Sequence, residues 1–104
     1  MSGSGGGGGY SPRESGCANL SFNTVLGTPR PPVLATLRKG HVLELVLETT
    51  TVKIVVAKTN AGQMAGTITT MTQQLIECME KGYEYEAEVT QVTGMQCSVG
   101  VRPK

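Results

Sequence analysis

The chain has 104 residues, with nine Lys or Arg against eight Glu, and its formal net charge is +1 at pH 7. This length favours a single domain, and near-zero charge excludes a general attraction to nucleic acid or membrane surfaces. Because no apolar run approaches the roughly 18–20 residues of a membrane span, and no signal-peptide core is recognisable, we expect a cytoplasmic protein outside the membrane.

The N-terminal stretch is rich in glycine, with five in succession at positions 5–9. Such sequence has no apolar surface whose burial could offset its ordering entropy. We therefore expect residues 1–16 to form a disordered tail and residues 17–104 to form one domain. A phosphate-binding glycine loop would need a strand before it and Gly-Lys-Ser/Thr after it, and neither is present.

Strand patterns begin at residues 20–26 and resume at His41. Between them, three prolines in residues 27–32 preclude a ladder, and residues 33–38 are predicted to hold a helical turn. Two strands then each place apolar side chains on one face. The alternating residues are Leu43, Leu45 and Leu47 in the first strand, and Val52, Ile54 and Val56 in the second.

A turn at residues 60–62 leads into a fourth short strand, residues 63–68. Gly66 lies within this strand. A glycine there predicts either a bulge or a close approach between the strand backbone and the helix that follows.

One amphipathic helix is predicted over residues 71–81. Thr70 has the side chain of an N-cap, Gln73 completes a capping-box pattern, and Gly82 suits the left-handed position that ends a helix. Apolar residues recur on one face: Met71, Leu75, Cys78 and Met79, widened by Ile76. Because so short a helix is marginal alone, it must lie on a sheet.

Two final strands follow the helix, and both alternate with period two. Their predicted inward residues are Tyr83, Tyr85, Ala87 and Val89, then Cys97, Val99 and Val101; Glu84, Glu86 and Glu88 are predicted to face solvent. The predicted fold class is therefore α+β and mainly β: a small, six-stranded, partly closed β-barrel with one helix between the fourth and fifth strands.

The residue inventory argues against catalysis. The chain has one histidine, His41, and no aspartate, so a Ser-His-Asp triad cannot form. Cys17, Cys78 and Cys97 are odd in number and widely spaced, which predicts reduced, mostly buried thiols rather than a disulfide framework or a zinc site. We expect no enzymatic activity, no catalytic residues, no metal and no cofactor.

Residues 60–89 resemble a HIRAN domain, a small barrel module known from helicase-like transcription factors and many bacterial proteins. The matching features are the Asn60-Ala61-Gly62-Gln63 turn, the strand ending at Gly66, the helix and the strand from Gly82 to Val89. The two earlier strands also fit in order and spacing, so the likeness covers about residues 37–101. It implies a barrel fold and a single-stranded DNA-binding ancestry.

The departures from that family concern its DNA pocket. Members that bind DNA ends carry an Asn-Pro-Tyr-Asp-like loop where this chain has residues 48–51, Glu-Thr-Thr-Thr. A histidine common in the family corresponds to Thr67, and a lysine at the helix start corresponds to about Thr70. None of the family's DNA-contacting residues can therefore be carried over to this sequence.

Two functional hypotheses follow. In the first, the chain is a non-enzymatic module that binds single-stranded nucleic acid through a local excess of cations. The candidate contacts are Arg38, Lys39, Lys53 and Lys58. In the alternative, it is a protein-interaction or accessory regulatory module without nucleic-acid binding, which uses an unpaired sheet edge to bind a protein partner.

Overall fold

The computed structural model describes residues 16–104, which contain six strands and, besides a helical turn at 16–18, two helices. The predicted tail therefore lies outside the described residues except for Gly16. The strands are β1 (Phe22–Val25), β2 (Val42–Thr49), β3 (Lys53–Lys58), β4 (Met64–Ile68), β5 (Tyr85–Val92) and β6 (Cys97–Pro103). The helices are α1 (Pro31–Leu34) and α2 (Thr72–Glu80).

All six strands form one antiparallel sheet in the order β1-β6-β5-β2-β3-β4. The sheet curls until its two edges meet at one bridge, where the Gly27 N–H donates to the Thr67 carbonyl at 2.8 Å and the Thr67 N–H donates to the Gly27 carbonyl at 2.9 Å. The Arg30 N–H also donates to the Ala65 carbonyl at 3.0 Å. The predicted fold class, a partly closed barrel with a helix between the fourth and fifth strands, is confirmed.

The core fills the concave side of the sheet. The predicted inward residues of β5 and β6 are buried, with Tyr85, Ala87, Val89, Cys97 and Val99 all 0% exposed. Leu43 and Leu45 of β2 face them, and α1 adds Leu34 from one side. Pro31 and Pro32 occupy the first turn of α1, where a missing N–H leaves no bond unmade.

The predicted inward face of β3 is wrong. Val55 and Ala57 point into the core opposite Leu47 and Leu45, whereas Val52 precedes the strand and is exposed. Val56 is also buried, on the opposite face of the strand from Val55. The misassignment has a physical cause: β3 buries both faces over its middle, so its apolar run carries no period-two signal.

The predicted start of the helix is also wrong. Helix α2 begins at Thr72, and its N-cap residue is Met71, which has the left-handed φ of 53° and makes no side-chain cap hydrogen bond. The Thr70 hydroxyl instead lies 2.7 Å from the Thr24 hydroxyl. Met71 is 41% exposed and is not part of the core, while Leu75 and Cys78 are buried as predicted. Gly82 has φ 100°, as expected of a left-handed cap.

The thiol prediction is wrong for two of the three cysteines. Cys17 and Cys78 form a disulfide across 61 positions, and Cys97 is a free, buried thiol whose pKa is raised by burial. Sequence spacing could not show this pairing, because the fold brings residue 17 beside the buried face of α2. Neither helix, nor the turn at 16–18, is long and apolar enough to span a bilayer.

Candidate binding cleft

A cleft of about 340 Å³ opens between the segment before β2 and the β3–β4 turn. We call it the loop cleft. Its polar lining comes from Thr36, His41, Thr59, Asn60 and Gln63, and its apolar lining includes Leu37, Val42 and Leu43. The combination of apolar walls and a few convergent polar groups is typical of a binding site.

The β3–β4 turn forms one wall, and its own hydrogen bonds hold its shape. The Thr59 N–H donates to the Gln63 carbonyl at 2.8 Å, and the Gly62 N–H donates to the Thr59 carbonyl at 2.9 Å. The Thr59 hydroxyl accepts from the Gln63 N–H at 3.2 Å. Gly62 has φ 82°, which favours glycine at this position. The wall is therefore formed before any ligand arrives.

The segment between α1 and β2 forms the other wall. The N–H of Gly40 donates to the Val89 carbonyl, and the Val89 N–H donates to the His41 carbonyl, both at 2.8 Å. The His41 ring folds back over its own loop, so that Nδ1 accepts from the Arg38 N–H at 3.2 Å.

Two of the four predicted contact residues occur in this segment, between the lining residues Leu37 and His41, although neither of them lines the cleft itself. Arg38 and Lys39 are exposed and, within residues 16–104, neither forms an ion pair with a carboxylate. No Glu occurs in residues 35–41 or 59–63, the two segments that bound the loop cleft. The segment before β2 therefore carries two exposed positive charges without a carboxylate partner in the described residues.

The other two predicted residues are placed differently. Lys53 and Lys58 lie at opposite ends of β3 and on opposite faces of it. Lys53 Nζ lies 2.5 Å from Glu80 on α2, and Lys58 Nζ lies 3.5 Å from Glu48 on β2. The four cations therefore do not share one surface. Arg38 and Lys39 lie between the lining residues Leu37 and His41, and Lys58 directly precedes the lining residue Thr59, but of these three only Lys58 has a carboxylate partner in the described residues.

The convex face of β5 and β6 is acidic but paired. Arg102 on β6 donates to Glu86 at 2.8 Å and also to Glu88, and these hydrogen bonds, first to Glu86 and then to Glu88, raise the pKa of the guanidinium. Lys104 lies near Glu44 and Glu84. The predicted outward orientation of these glutamates is confirmed, and the described residues include no cluster of three or more metal-binding side chains.

The sequence interpretation missed the cleft itself. Asn60 and Gln63 were identified only as turn residues, and His41 only as the start of a strand. The one available signal was that a polar turn and a basic loop both abut the ends of adjacent predicted strands. Because that signal does not say how the two loops approach each other, the cleft emerges only from the packing of β2 against β3.

Comparisons with known proteins add no family. No protein-family model, no curated protein and no solved structure matches this chain.

Proposed function

We propose that this chain is a non-enzymatic binding module that holds single-stranded nucleic acid at the loop cleft. Arg38 and Lys39 contact phosphates, while Asn60 and Gln63 offer amide groups to a base edge. The resemblance to HIRAN domains supports a nucleic-acid-binding ancestry, and we propose this kinship as the origin of the fold.

A single observation supports the proposal: of the four candidate cations, Arg38 and Lys39 are the two without an ion pair in the described residues, and they lie in sequence between Leu37 and His41, which both line the loop cleft. Lys53 and Lys58 already have carboxylate partners, so a phosphate would have to compete with those partners for them. Arg38 and Lys39 have none in the described part of the chain. An incoming phosphate therefore displaces only water and counterions at this site.

The experiment is fluorescence anisotropy with a labelled oligonucleotide over a series of salt concentrations. If Arg38 and Lys39 are the phosphate contacts, the log–log salt slope on single strands is about −1.4, whereas four contacts would give about −2.8. Binding should show little preference among sequences, and a 3′ phosphate should not abolish it. Loss of binding with a 3′ phosphate would instead indicate a pocket for DNA ends.

A matched pair of variants identifies the site. Arg38→Gln with Lys39→Gln should reduce affinity at least about tenfold at low salt, because it removes both phosphate contacts. Lys53→Gln with Lys58→Gln removes the same charge from the opposite ends of β3 and should leave affinity nearly unchanged. Equal losses from both pairs would show that only net charge matters and would contradict the assignment to the cleft.

The second candidate, a protein-interaction module, is favoured by the free edge of β1. The Leu26 N–H donates a hydrogen bond to the Cys97 carbonyl of β6, whereas the backbone of Gly27, the next residue, faces away from β6 and pairs with Thr67. Because successive residues of an antiparallel strand alternate in this way, the backbone groups of Asn23 and Val25 also point away from β6. Such groups can pair with a strand from another chain. An absence of oligonucleotide binding even at low salt would favour this candidate over the first.

The cytoplasmic location predicted from the sequence is part of the same proposal. A lasting disulfide is typical of oxidising compartments, whereas cytosolic disulfides are usually transient. The location therefore requires that Cys17–Cys78 be reducible in the folded protein. Mass spectrometry of the protein from cells quenched with acid and alkylated would show which state it occupies.

A further inference from the structure

We propose that a groove on the convex face of the sheet binds a short neutral saccharide. The groove has a volume of about 370 Å³ and crosses β1, β6 and β5, and we call it the sheet groove. Among the described residues, none lines both the sheet groove and the loop cleft, so the inference is independent of nucleic-acid binding. The lining of the sheet groove includes Ser21, Asn23, Glu88, Thr90, Gly100 and Arg102.

Gly100 forms the floor of the sheet groove. It lies within β6, where it pairs with Asn23 of β1 on one side and with Glu88 of β5 on the other. Its backbone does not require glycine, because its φ lies outside the left-handed region. Packing does not require glycine either. Beyond its chain neighbours, an added Cβ would meet only one atom of the described chain within 4 Å, Asn23 Oδ1 at 3.2 Å, which is the end of a flexible side chain. A strand glycine that has neither reason is typical of a surface that a ligand approaches closely.

A β-bulge on β5 supplies one side of the same groove. Val89 pairs with Val99 and Gln91 pairs with Ser98, so Thr90 is an extra residue of β5 without a partner on β6. Thr90 is exposed and lines the sheet groove. Bulges of this kind re-aim a side chain beside a functional site. The bulge and the strand glycine are independent features, and both are located at this one groove.

Arg102 lies at one end of the sheet groove in a fixed network. Its Nε donates to Glu86 at 2.8 Å, and its Nη1 donates to Glu88. These bonds use two of the five guanidinium N–H groups, and each carboxylate keeps further lone pairs. This end of the groove therefore presents hydrogen-bond donors and acceptors side by side, already held in position.

The rest of the polar lining also combines donors with acceptors. The Asn23 amide and the hydroxyls of Ser21 and Thr90 can each donate and accept. A sugar ring carries neighbouring hydroxyls with the same double capacity, so it can satisfy such a surface at several points. An apolar ligand would instead remove water from these groups without replacing its hydrogen bonds.

The charges at the groove favour a neutral ligand. Glu86 and Glu88 outnumber Arg102 and already accept from its Nε and Nη1, so a phosphate or carboxylate would meet net repulsion. A cation would have to approach the guanidinium that lies between the two carboxylates. The volume of the groove is at the small end of the range of about 300–1,000 Å³ for small-molecule sites, which fits a short saccharide.

The test uses the full chain, labelled with ¹⁵N and titrated with maltotriose, cellotriose or triacetylchitotriose up to about 10 mM. Amide chemical shifts report where each sugar binds. We expect at least one of these sugars to shift the amide signals of Asn23, Thr90 and Gly100 in a saturable manner. The amide signals of Asn60 and Gln63 at the loop cleft should not move.

Three results would overturn the proposal. The first is an absence of saturable shifts at the sheet groove with all three sugars. The second is saturable shifts at the same amides with inorganic phosphate or with arginine amide but with no sugar, which would assign the groove to a charged ligand. The third is shifts that scatter over the sheet without saturation, which would show non-specific contact.

A matched pair of variants on one strand locates the site. Gly100→Val fills the floor of the groove with a residue that suits a strand, and it should weaken sugar affinity at least about tenfold. Ser98→Val makes the same kind of change two positions away on the same face of β6, outside the groove lining, and should leave affinity unchanged. Equal losses from both variants would contradict the assignment.

Thr90→Val keeps the test decisive if Gly100→Val fails to fold. It removes one hydroxyl from the groove and preserves the shape of the side chain, so we expect sugar affinity to fall about fivefold. Oligonucleotide affinity should equal that of wild type, because Thr90 does not line the loop cleft. Unchanged sugar affinity in Thr90→Val would contradict the role of the bulge.

Discussion

Gly66 shows how a single residue can depend on a contact that is distant in sequence. A Cβ at this position would lie 2.8 Å from the Gly27 carbonyl oxygen and 2.9 Å from Leu26 Cβ. The sequence predicted at Gly66 either a bulge or a close approach to the helix. The β3–β4 register does shift next to this residue, since Ala57 pairs with Gly66 and Lys58 with Met64, but the close neighbour is not the helix. The neighbour is instead the segment that follows β1, because this is where the two edges of the sheet meet.

We expect Gly66→Val to lower the free energy of unfolding by roughly 1–3 kcal/mol, because the added carbons must displace backbone that closes the barrel. Urea unfolding followed by circular dichroism measures the change. Gly94→Ala is the matched control, since no atom lies within 4 Å of its added Cβ and we expect a change near zero. If Gly66→Val were as stable as wild type, the backbones of Gly66 and Gly27 would not lie as close together as described.

Tyr85 should make stability fall at alkaline pH. Burial, followed by the charge of Tyr83, raises the pKa of its hydroxyl above the usual value of 10.0. Above pH 10 the unfolded chain therefore loses this proton before the folded chain does, and binds fewer protons. The contribution is complete below about pH 10 and is lost as the pH rises through the folded pKa.

The measurement is urea unfolding of wild type and of Tyr85→Phe between pH 7 and 11. At pH 7 the variant should be less stable by about 1 kcal/mol, because it lacks the hydrogen bond to the Cys17 carbonyl. The difference should shrink above pH 10, since only wild type carries the titrating group. A difference that stays constant with pH would contradict a raised Tyr85 pKa.

Among the secondary-structure elements, α2 has an energetically unfavourable N-terminus, because its N-cap residue has a left-handed backbone and makes no capping hydrogen bond. Met71 has φ 53° and an exposed side chain, so it bears left-handed strain with little burial to offset it. A β-strand leads directly into the helix there, and Thr70 is engaged with Thr24 rather than with the first turn. The tertiary hydrogen bond between β1 and this turn has displaced the local capping box.

We expect Met71→Gly to raise the free energy of unfolding by about 0.5–1 kcal/mol, because relief of left-handed strain exceeds the added entropy of the unfolded chain. Thermal unfolding measures the shift. Met95→Gly is the control: Met95 is exposed in a loop without positive φ, so the same change there should be neutral or destabilising. If Met71→Gly destabilised the protein as much as Met95→Gly does, the left-handed backbone at Met71 would not be strained.

At the scale of the whole molecule, the disulfide closes a long loop around most of the barrel. It links positions 61 residues apart, and a cross-link of this span should stabilise the fold by about 4 kcal/mol in the chain-entropy treatment. That is a large share of the stability expected of a small domain.

We expect Cys17→Ser with Cys78→Ser to lower the free energy of unfolding by about 2–4 kcal/mol and to make it independent of reductant. The measurement is urea unfolding of wild type and variant, each with and without dithiothreitol. Wild type should lose stability when reduced and approach the variant. If the reductant leaves the stability of wild type unchanged, the cross-link does not contribute as argued.

The sequence by itself determined the features that depend on neighbours two to four positions apart. The inward faces of β2, β5 and β6 could be predicted from alternation, and the amphipathic stripe and Gly82 located α2. From these elements the mainly β, partly closed barrel followed, because a helix with one apolar face must cover a sheet. The local excess of cations was also visible in the sequence.

Only the tertiary structure decided which distant groups meet. It paired Cys17 with Cys78, gave Lys53 and Lys58 carboxylate partners, and brought the segment before β2 and the β3–β4 turn together around a cleft. These outcomes depend on the curl and register of the sheet, which bring together residues tens of positions apart and carry no local periodicity. The inward face of β3 was undetermined for a related reason: both of its faces are buried, so alternation vanished where burial was greatest.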